Sequence, residues 1–268
     1  MIMLKSYVFD LDQNILYTKT PIYLLIKQPG GSRQEEPIPN AEYEKRLQDK
    51  ENAKFHEDIE YSCREFRWYG KLIRDVFEVI DNGGPSWNKF KTATIECSPT
   101  DIVSDRGNAL KEFREIHKKI IYEVLNAGER EEMIYNMRNH LSDRMSNPDT
   151  LIDIYLNNNL YIPCNNPEFV KIQGWWNKTS AEKKALAFEK CITKTIDTYT
   201  SYYGEQFMKN RHISIWFSDD NKKYTDSMQT YITSELIKKF PEIKFALYDT
   251  SDPKNIRKQI FGNSKYWL

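Results

Sequence analysis

The chain has 268 residues, enough for one large domain or a core carrying an inserted module, and its 39 basic and 39 acidic residues leave no formal net charge. That balance excludes a global pull toward nucleic acid or an anionic membrane and leaves only a local basic groove open. No stretch approaches the roughly 20 apolar residues of a membrane span, and Met1 to Lys5 lacks the basic region and long apolar run of a signal peptide.

The four cysteines, Cys63, Cys97, Cys164 and Cys191, are scattered with no C-x-x-C spacing. That argues against a zinc site or a disulfide framework, and a reducing, cytoplasmic compartment is the expectation. The four histidines show no ligand spacing either.

In chain order, Tyr7, Val8 and Phe9 form a short apolar run that reads as a strand buried on both faces. It ends in Asp10-Leu11-Asp12. Ligands in open α/β sheets sit beyond the carboxyl ends of the strands, and two acids this close repel unless a cation or a shared proton intervenes. The pair points to a metal. Residues 18 to 26 suggest a second extended segment, and Gly30 to Pro39 is a turn-rich loop. Residues 41 to 56 read as a solvated helix face. From Glu60 to Ile80 apolar residues recur at helical spacing, and Asn82-Gly83-Gly84-Pro85 stops the helix. Residues 22 to 90 exceed what a βαβ crossover needs, so they are read as an inserted, mainly helical module.

Ile102-Val103-Ser104 is a β-branched run ending in a hydroxyl, followed by Asp105-Arg106-Gly107 and a helix from Leu110 to Leu125. A hydroxyl facing an oncoming helix N-terminus suits a phosphate, while taken alone Ser104 is better explained as a simple N-cap. Residues 129 to 156 read as helical with a break at Asn147-Pro148. Leu160 to Pro163 is a short strand, and Asn165 to Asn177, with Trp175 and Trp176, is a loop or small hairpin. Thr179, Ser180 and Glu182 carry a helix-start signature for a helix to about Tyr203. His212 to Phe217 is a strand ending in Ser218-Asp219-Asp220, acids suited to a hard cation such as magnesium, with a helix beyond. Ile243 to Tyr248 reads as a fifth strand.

Asp10-Leu11-Asp12, Ser104-Asp105-Arg106-Gly107, Lys184 and Asp219-Asp220, in this order at strand ends and helix starts, resemble the four motifs of the haloacid dehalogenase (HAD) superfamily, mostly magnesium-dependent phosphatases. The resemblance covers roughly residues 1 to 20 and 90 to 250. It implies an α/β Rossmannoid three-layer sandwich with a central parallel sheet. Residues 1–21 and 91–268 form the core, and residues 22–90 form a cap inserted between the first and second motifs.

The resemblance further implies catalysis by Asp10 as nucleophile and Asp12 as general acid and base. Ser104, Arg106 and Lys184 bind the substrate, with Lys183 the alternative to Lys184. Magnesium is held by Asp10, Asp12 through its backbone carbonyl, Asp219 directly and Asp220 through water or by orienting. The implied substrate is a phosphomonoester, either a phosphorylated small molecule or a nucleotide or nucleic-acid end. Arg64, Arg67, Trp68, Lys71, Trp175 and Trp176 interleave as phosphate and stacking contacts would, although packing explains the first four and the tryptophan pair as well. No membrane partner is expected, and a homo-oligomer is left open.

Gln13-Asn14 stands where family members carry Gly-Thr or a similar pair, which puts full activity in doubt. The rival readings are a non-catalytic HAD-like binding or assembly module and a phosphotransferase.

Overall fold

The computed structural model describes residues 3–78, 80, 83–142, 146–208 and 212–262. Met1, Ile2, Val79, Asn82 and residues 143–145 of the segments read above lie outside the described residues. The strands are β1 (Met3–Phe9), β2 (Pro21–Lys27), β3 (Arg33–Pro39), β4 (Ala53–Lys54), β5 (Thr100–Ser104), β6 (Tyr161–Pro163), β7 (His212–Asp219), β8 (Lys244–Asp249) and β9 (Arg257–Phe261).

The main sheet runs β6-β5-β1-β7-β8-β9. All its pairs are parallel except β8 with β9. This mostly parallel sheet flanked by helices is a Rossmann-like α/β arrangement. The chain moves from β1 to one side through β5 and β6, then returns to the other side through β7 and β8. The order therefore reverses between β1 and β7, and the crevice beyond their carboxyl ends is where such sheets place ligands. Phe9 pairs with Ser218 in register, so Asp10 and Asp219 stand level at neighbouring strand tips.

Each face carries its own apolar cluster. On one face Tyr7, Phe9 and Ile102 pack under Phe90, Phe113, Ile116 and Leu151. On the other, Val8, Ile215, Phe217 and Phe245 pack under Phe188, Ile192 and Met228. Fully burying such side chains contributes about 1.5–3 kcal/mol each, and the strict alternation along β1 and β7 fixes which carboxylates turn toward which face. The helix Ser180–Tyr203 opens with a capping box, Thr179 accepting from the Glu182 backbone N–H and Glu182 accepting from the Thr179 backbone N–H. That cap anchors its first turn at the carboxyl edge of the sheet.

The inserted segment is not mainly helical. Its centre is an antiparallel sheet, β3-β2-β4, turned by Gly30 and Gly31 at φ 102° and 88°, values that favour glycine. Ile22, Leu24, Ile38 and Ala53 form its own small core with Phe55 and Phe66. The expected helix over Glu60–Ile80 is broken into Ile59–Ser62, the 3-10 turn Arg64–Arg67 and Lys71–Phe77, with Gly70 at φ 74° between the last two. Leu72 and Val76 join the main core rather than the insert's. Where a loop or hairpin was expected over Asn165–Asn177, the chain forms a helix, Pro167–Gln173, capped by Asn166. No helix among the described residues is long and apolar enough to cross a membrane.

Candidate active site

At the tips of β1 and β7, Asp10 and Asp219 are 5% and 0% exposed, and Asp220 is half-buried. Carboxylate oxygens of all three lie within 4.8 Å of one another. Lys184, in the first turns of Ser180–Tyr203, donates to Asp10 Oδ1 at 2.8 Å and to Asp219 Oδ2 at 2.7 Å. Of the two lysines the sequence left open, Lys184 reaches the carboxylates. Lys183 instead turns to Asn165 Oδ1 at 2.9 Å.

The charges are out of balance. Burial raises the pKa of Asp10 well above the usual carboxylate range; Lys184 opposes the shift, and Asp219 and Asp220 add to it. Burial likewise raises Asp219 against the pull of Lys184. Asp220 is pushed up to about 8, by burial first and then by Asp219. Burial works against the Lys184 ammonium, but Asp10 and Asp219 outweigh it and hold its pKa well above normal. One ammonium thus serves three crowded acids, and a hard cation fits this all-oxygen donor set.

Asp12 faces another partner. Its carboxylate is gripped by the fully buried Arg106, from Nε at 2.9 and 3.1 Å and from a terminal nitrogen at 2.7 Å. The Thr18 hydroxyl donates to the same carboxylate, and Ser104 Oγ stands 3.5 Å from its other oxygen. Arg106 also donates to Thr20 Oγ1 at 2.6 Å, and Thr20 in turn donates to Asp75, which pairs with Lys71 at 2.7 Å. The structure places Arg106 on Asp12 and also along the cavity, where the sequence reads it as a substrate contact. The Asp12 carboxylate is not among the three that could share a cation.

The loop after Asp12 turns on Gln13 and Asn14. Gln13 has φ 58°, in the left-handed region that favours glycine. The buried Asn14 amide donates to the carbonyls of Asp10 and Ser218 at 3.1 and 2.9 Å. Its oxygen accepts from Ser86, Ser218 and Thr250 at 2.7, 3.0 and 2.9 Å. Asn14 thus ties the β1 tip to the β7 tip.

These groups open into a cavity of about 470 Å³. Its inner end carries Asp10, Asp12, Ser104, Lys184, Asp219 and Asp220, and its outer walls bring Ile22, Tyr43, Phe55, Ile59 and Phe66 from the insert. Tyr224 lies against Lys184, its ring 4.3 Å from the ammonium. The insert is fastened over this mouth by Gly107 N–H donating to the Phe66 carbonyl at 3.1 Å and Gly70 N–H donating to Glu112 at 2.6 Å.

No family model, curated protein or solved structure matches the chain.

The stacking and phosphate-contact residues read from the sequence separate. Arg64 pairs with Glu35 at 2.7 Å, Arg67 with Glu60 at 2.5 Å and Lys71 with Asp75. Trp175 is buried against Phe169, while Trp68 and Trp176 are 50% and 61% exposed. Sequence reasoning missed Thr18, Thr20, Asp75 and Tyr224. The alternating hydroxyls of Thr18 and Thr20 just after the Asp pair were the available signal; nothing in the sequence marked Asp75.

Proposed function

We propose that the chain is a HAD-like, magnesium-dependent phosphatase that hydrolyses a phosphomonoester through an aspartyl-phosphate on Asp10. The observation that carries this reading is the meeting of Asp10, Asp219 and Asp220 around Lys184 at the reversal point of the sheet. Their raised pKa values mean that as anions these acids lack positive charge, which supports Asp10, Asp219 and Asp220 as the residues that would hold the cation, with Asp12 limited to its backbone carbonyl. When bound, magnesium would supply charge against the phosphoryl oxygens.

The remaining steps belong to the protein's own groups. Asp10 Oδ attacks phosphorus as the bond to the leaving oxygen breaks, and Asp12 donates a proton to that oxygen. In the second half Asp12 accepts a proton from water, which attacks phosphorus and frees Asp10 and inorganic phosphate. Both Asp12 oxygens are held by Arg106, so proton transfer requires one of these hydrogen bonds to loosen. Ser104 and Lys184 donate to the equatorial oxygens where charge develops. The cavity is within the usual range for small ligands, roughly 300–1,000 Å³, and its outer wall, which sets Ile22, Phe55, Ile59 and Phe66 beside Asn40, Glu60 and Arg67, favours a leaving group with both a planar or apolar part and polar groups.

Release of p-nitrophenol from p-nitrophenyl phosphate tests the reading. Turnover is expected with magnesium and not with chelator, and Asp10→Asn is expected to abolish it. A chain that binds magnesium yet turns over no phosphoester would instead be the non-catalytic module.

A further inference from the structure

On the sheet face opposite Lys184, no helix among the described residues lies over β8 and β9. Trp216 and Tyr248 are half-buried there, whereas Phe217 and Leu247, their neighbours on the other face, are fully enclosed. The two rings stack at 4.9 Å between centroids and 19° between planes, and Tyr7 meets Trp216 edge-on at 5.0 Å. Lys258 lies 4.9 Å from the Trp216 ring and 5.4 Å from Tyr248. Lys89 lies 4.9 Å from Trp216 and 4.8 Å from Tyr7.

None of Lys5, Lys89 and Lys258 forms an ion pair with a carboxylate among the described residues. Burial lowers the Lys89 pKa, Glu96 opposes the shift, and the positive charges of Lys5 and Lys258 add to it. Beneath them the fully buried Tyr7 hydroxyl has no hydrogen-bond partner among the described residues. Three lysines with no carboxylate ion pair among the described residues, set on an aromatic floor, suit an anion that also carries ring faces. An inorganic ion would answer the lysines and leave Trp216 and Tyr248 unused.

We propose that this face binds single-stranded nucleic acid, with bases stacking on Trp216 and Tyr248 and phosphates meeting Lys5, Lys89 and Lys258. Aromatic platforms flanked by positive charge are how single strands are held without base-specific contacts, and exposed sheet faces serve as such platforms. At about 4.8 Å per strand, β1, β7, β8 and β9 span roughly 15 Å, room for a few nucleotides. An entering base takes the place of an ammonium over a ring, and the displaced ammonium turns to a phosphate. The inference does not rest on the phosphatase reading, because binding is read without turnover.

Fluorescence anisotropy of a labelled oligothymidylate of about 12 nucleotides, titrated with the whole chain, tests it. Binding is expected at low salt and weakens as salt rises. Lys89→Glu with Lys258→Glu weakens it on the order of tenfold and flattens the logarithmic salt slope by about 0.7 for each phosphate left without its lysine. Tyr248→Leu weakens binding roughly tenfold with the salt slope unchanged, because it removes stacking and no charge. Circular dichroism checks that each variant is folded, and a Gln pair at the two lysines gives the same slope readout if the Glu pair is not. No binding at low salt, or equal affinity for the folded lysine variant, overturns the proposal. Capture by phosphatidylserine vesicles but not by the oligonucleotide overturns it as well, and assigns the patch to a membrane surface.

Discussion

Arg106, with no exposed surface, holds the Asp12 carboxylate through hydrogen bonds of 2.7 to 3.1 Å. A planar fork can fix both the position and the rotation of a carboxylate, which a lysine cannot. In the proposed enzyme Arg106 therefore acts through Asp12. Arg106→Lys is expected to lower kcat by about 100-fold, the scale of a catalytic group displaced by an ångström, while KM stays near its original value. A raised KM with kcat preserved would instead put Arg106 on the substrate. Arg106→Leu is expected to cost about 3–5 kcal/mol of stability, because it leaves Asp12 buried without its cation; urea denaturation reads this directly.

The second prediction concerns Lys184, the ammonium between Asp10 and Asp219. Lys184→Met leaves two buried carboxylates and their neighbour Asp220 uncompensated, so without divalent metal the variant is expected to melt well below the parent protein. Magnesium should raise both melting temperatures, and the variant's more, since ligand binding to the folded state adds about 2.7 kcal/mol at 100 times Kd. For a chain of this size that amounts to roughly 5–10 °C. Differential scanning calorimetry in magnesium and in chelator checks it. Curves that superimpose under the two conditions would remove the cation from these three acids.

What the sequence made legible follows from how local each signal was. Asp10 and Asp219 were readable because each ends a short apolar strand, and the register that sets them side by side follows from β1 and β7 being neighbours. The Arg106 partner was not readable. Its pairing with Asp12 depends on the path of the loop after β1, closed by Thr18 and Thr20, and no local pattern encodes that path. The acidic partners of Arg64, Arg67 and Lys71 were not readable either, because the fold sets them, and of the three Arg67 lines the cavity. The insert's hairpin was partly signalled by residues 18 to 26, yet helical apolar spacing farther on suggested a mainly helical module. The helix Pro167–Gln173 did carry a signal, Asn166 followed by proline at the first helical position, which the adjacent tryptophans obscured. The edge strand β9 is mostly exposed and polar, so only its pairing with β8 defines it.

A third prediction separates two buried groups with opposite pH signatures. Burial pushes His117 down to about 3, and its ring nitrogens meet Thr94 and Tyr161 at 3.1 Å. The unfolded chain takes up the proton near pH 6.5 and the folded chain does not, so this residue makes stability fall as pH drops from about 6.5 toward 3. Asp101 is pushed up to about 7, mainly by burial. Here the folded chain keeps the proton longer, so its contribution is present below about pH 4 and is lost as pH rises toward 7. The two slopes oppose each other across the same window. Relative to the parent, His117→Gln should become less stable with rising pH between about 4.5 and 6, and Asp101→Asn more stable, each by about 1.4 kcal/mol per pH unit. Urea midpoints at several pH values decide it; parallel curves for all three proteins would refute both assignments.

The last prediction tests whether Asn14 shapes the site. Its amide donates to two carbonyls and its oxygen accepts from three hydroxyls, so both ends of one small side chain are used. Asn14→Asp keeps the size but sets a carboxylate oxygen against the Asp10 and Ser218 carbonyls, with no proton to offer either. Asn14→Ala leaves a small void and strands the Ser86, Ser218 and Thr250 hydroxyls. Each unsatisfied buried group costs about 1–3 kcal/mol, so both variants should lose several kcal/mol in urea denaturation. The Asp variant should lose more, since its added charge is buried beside Asp10. Asn14→Thr keeps an oxygen and a donor and should keep more stability than either, along with measurable phosphatase turnover. If Asn14→Asp proves as stable as the parent, the amide is not what joins the tips of β1 and β7.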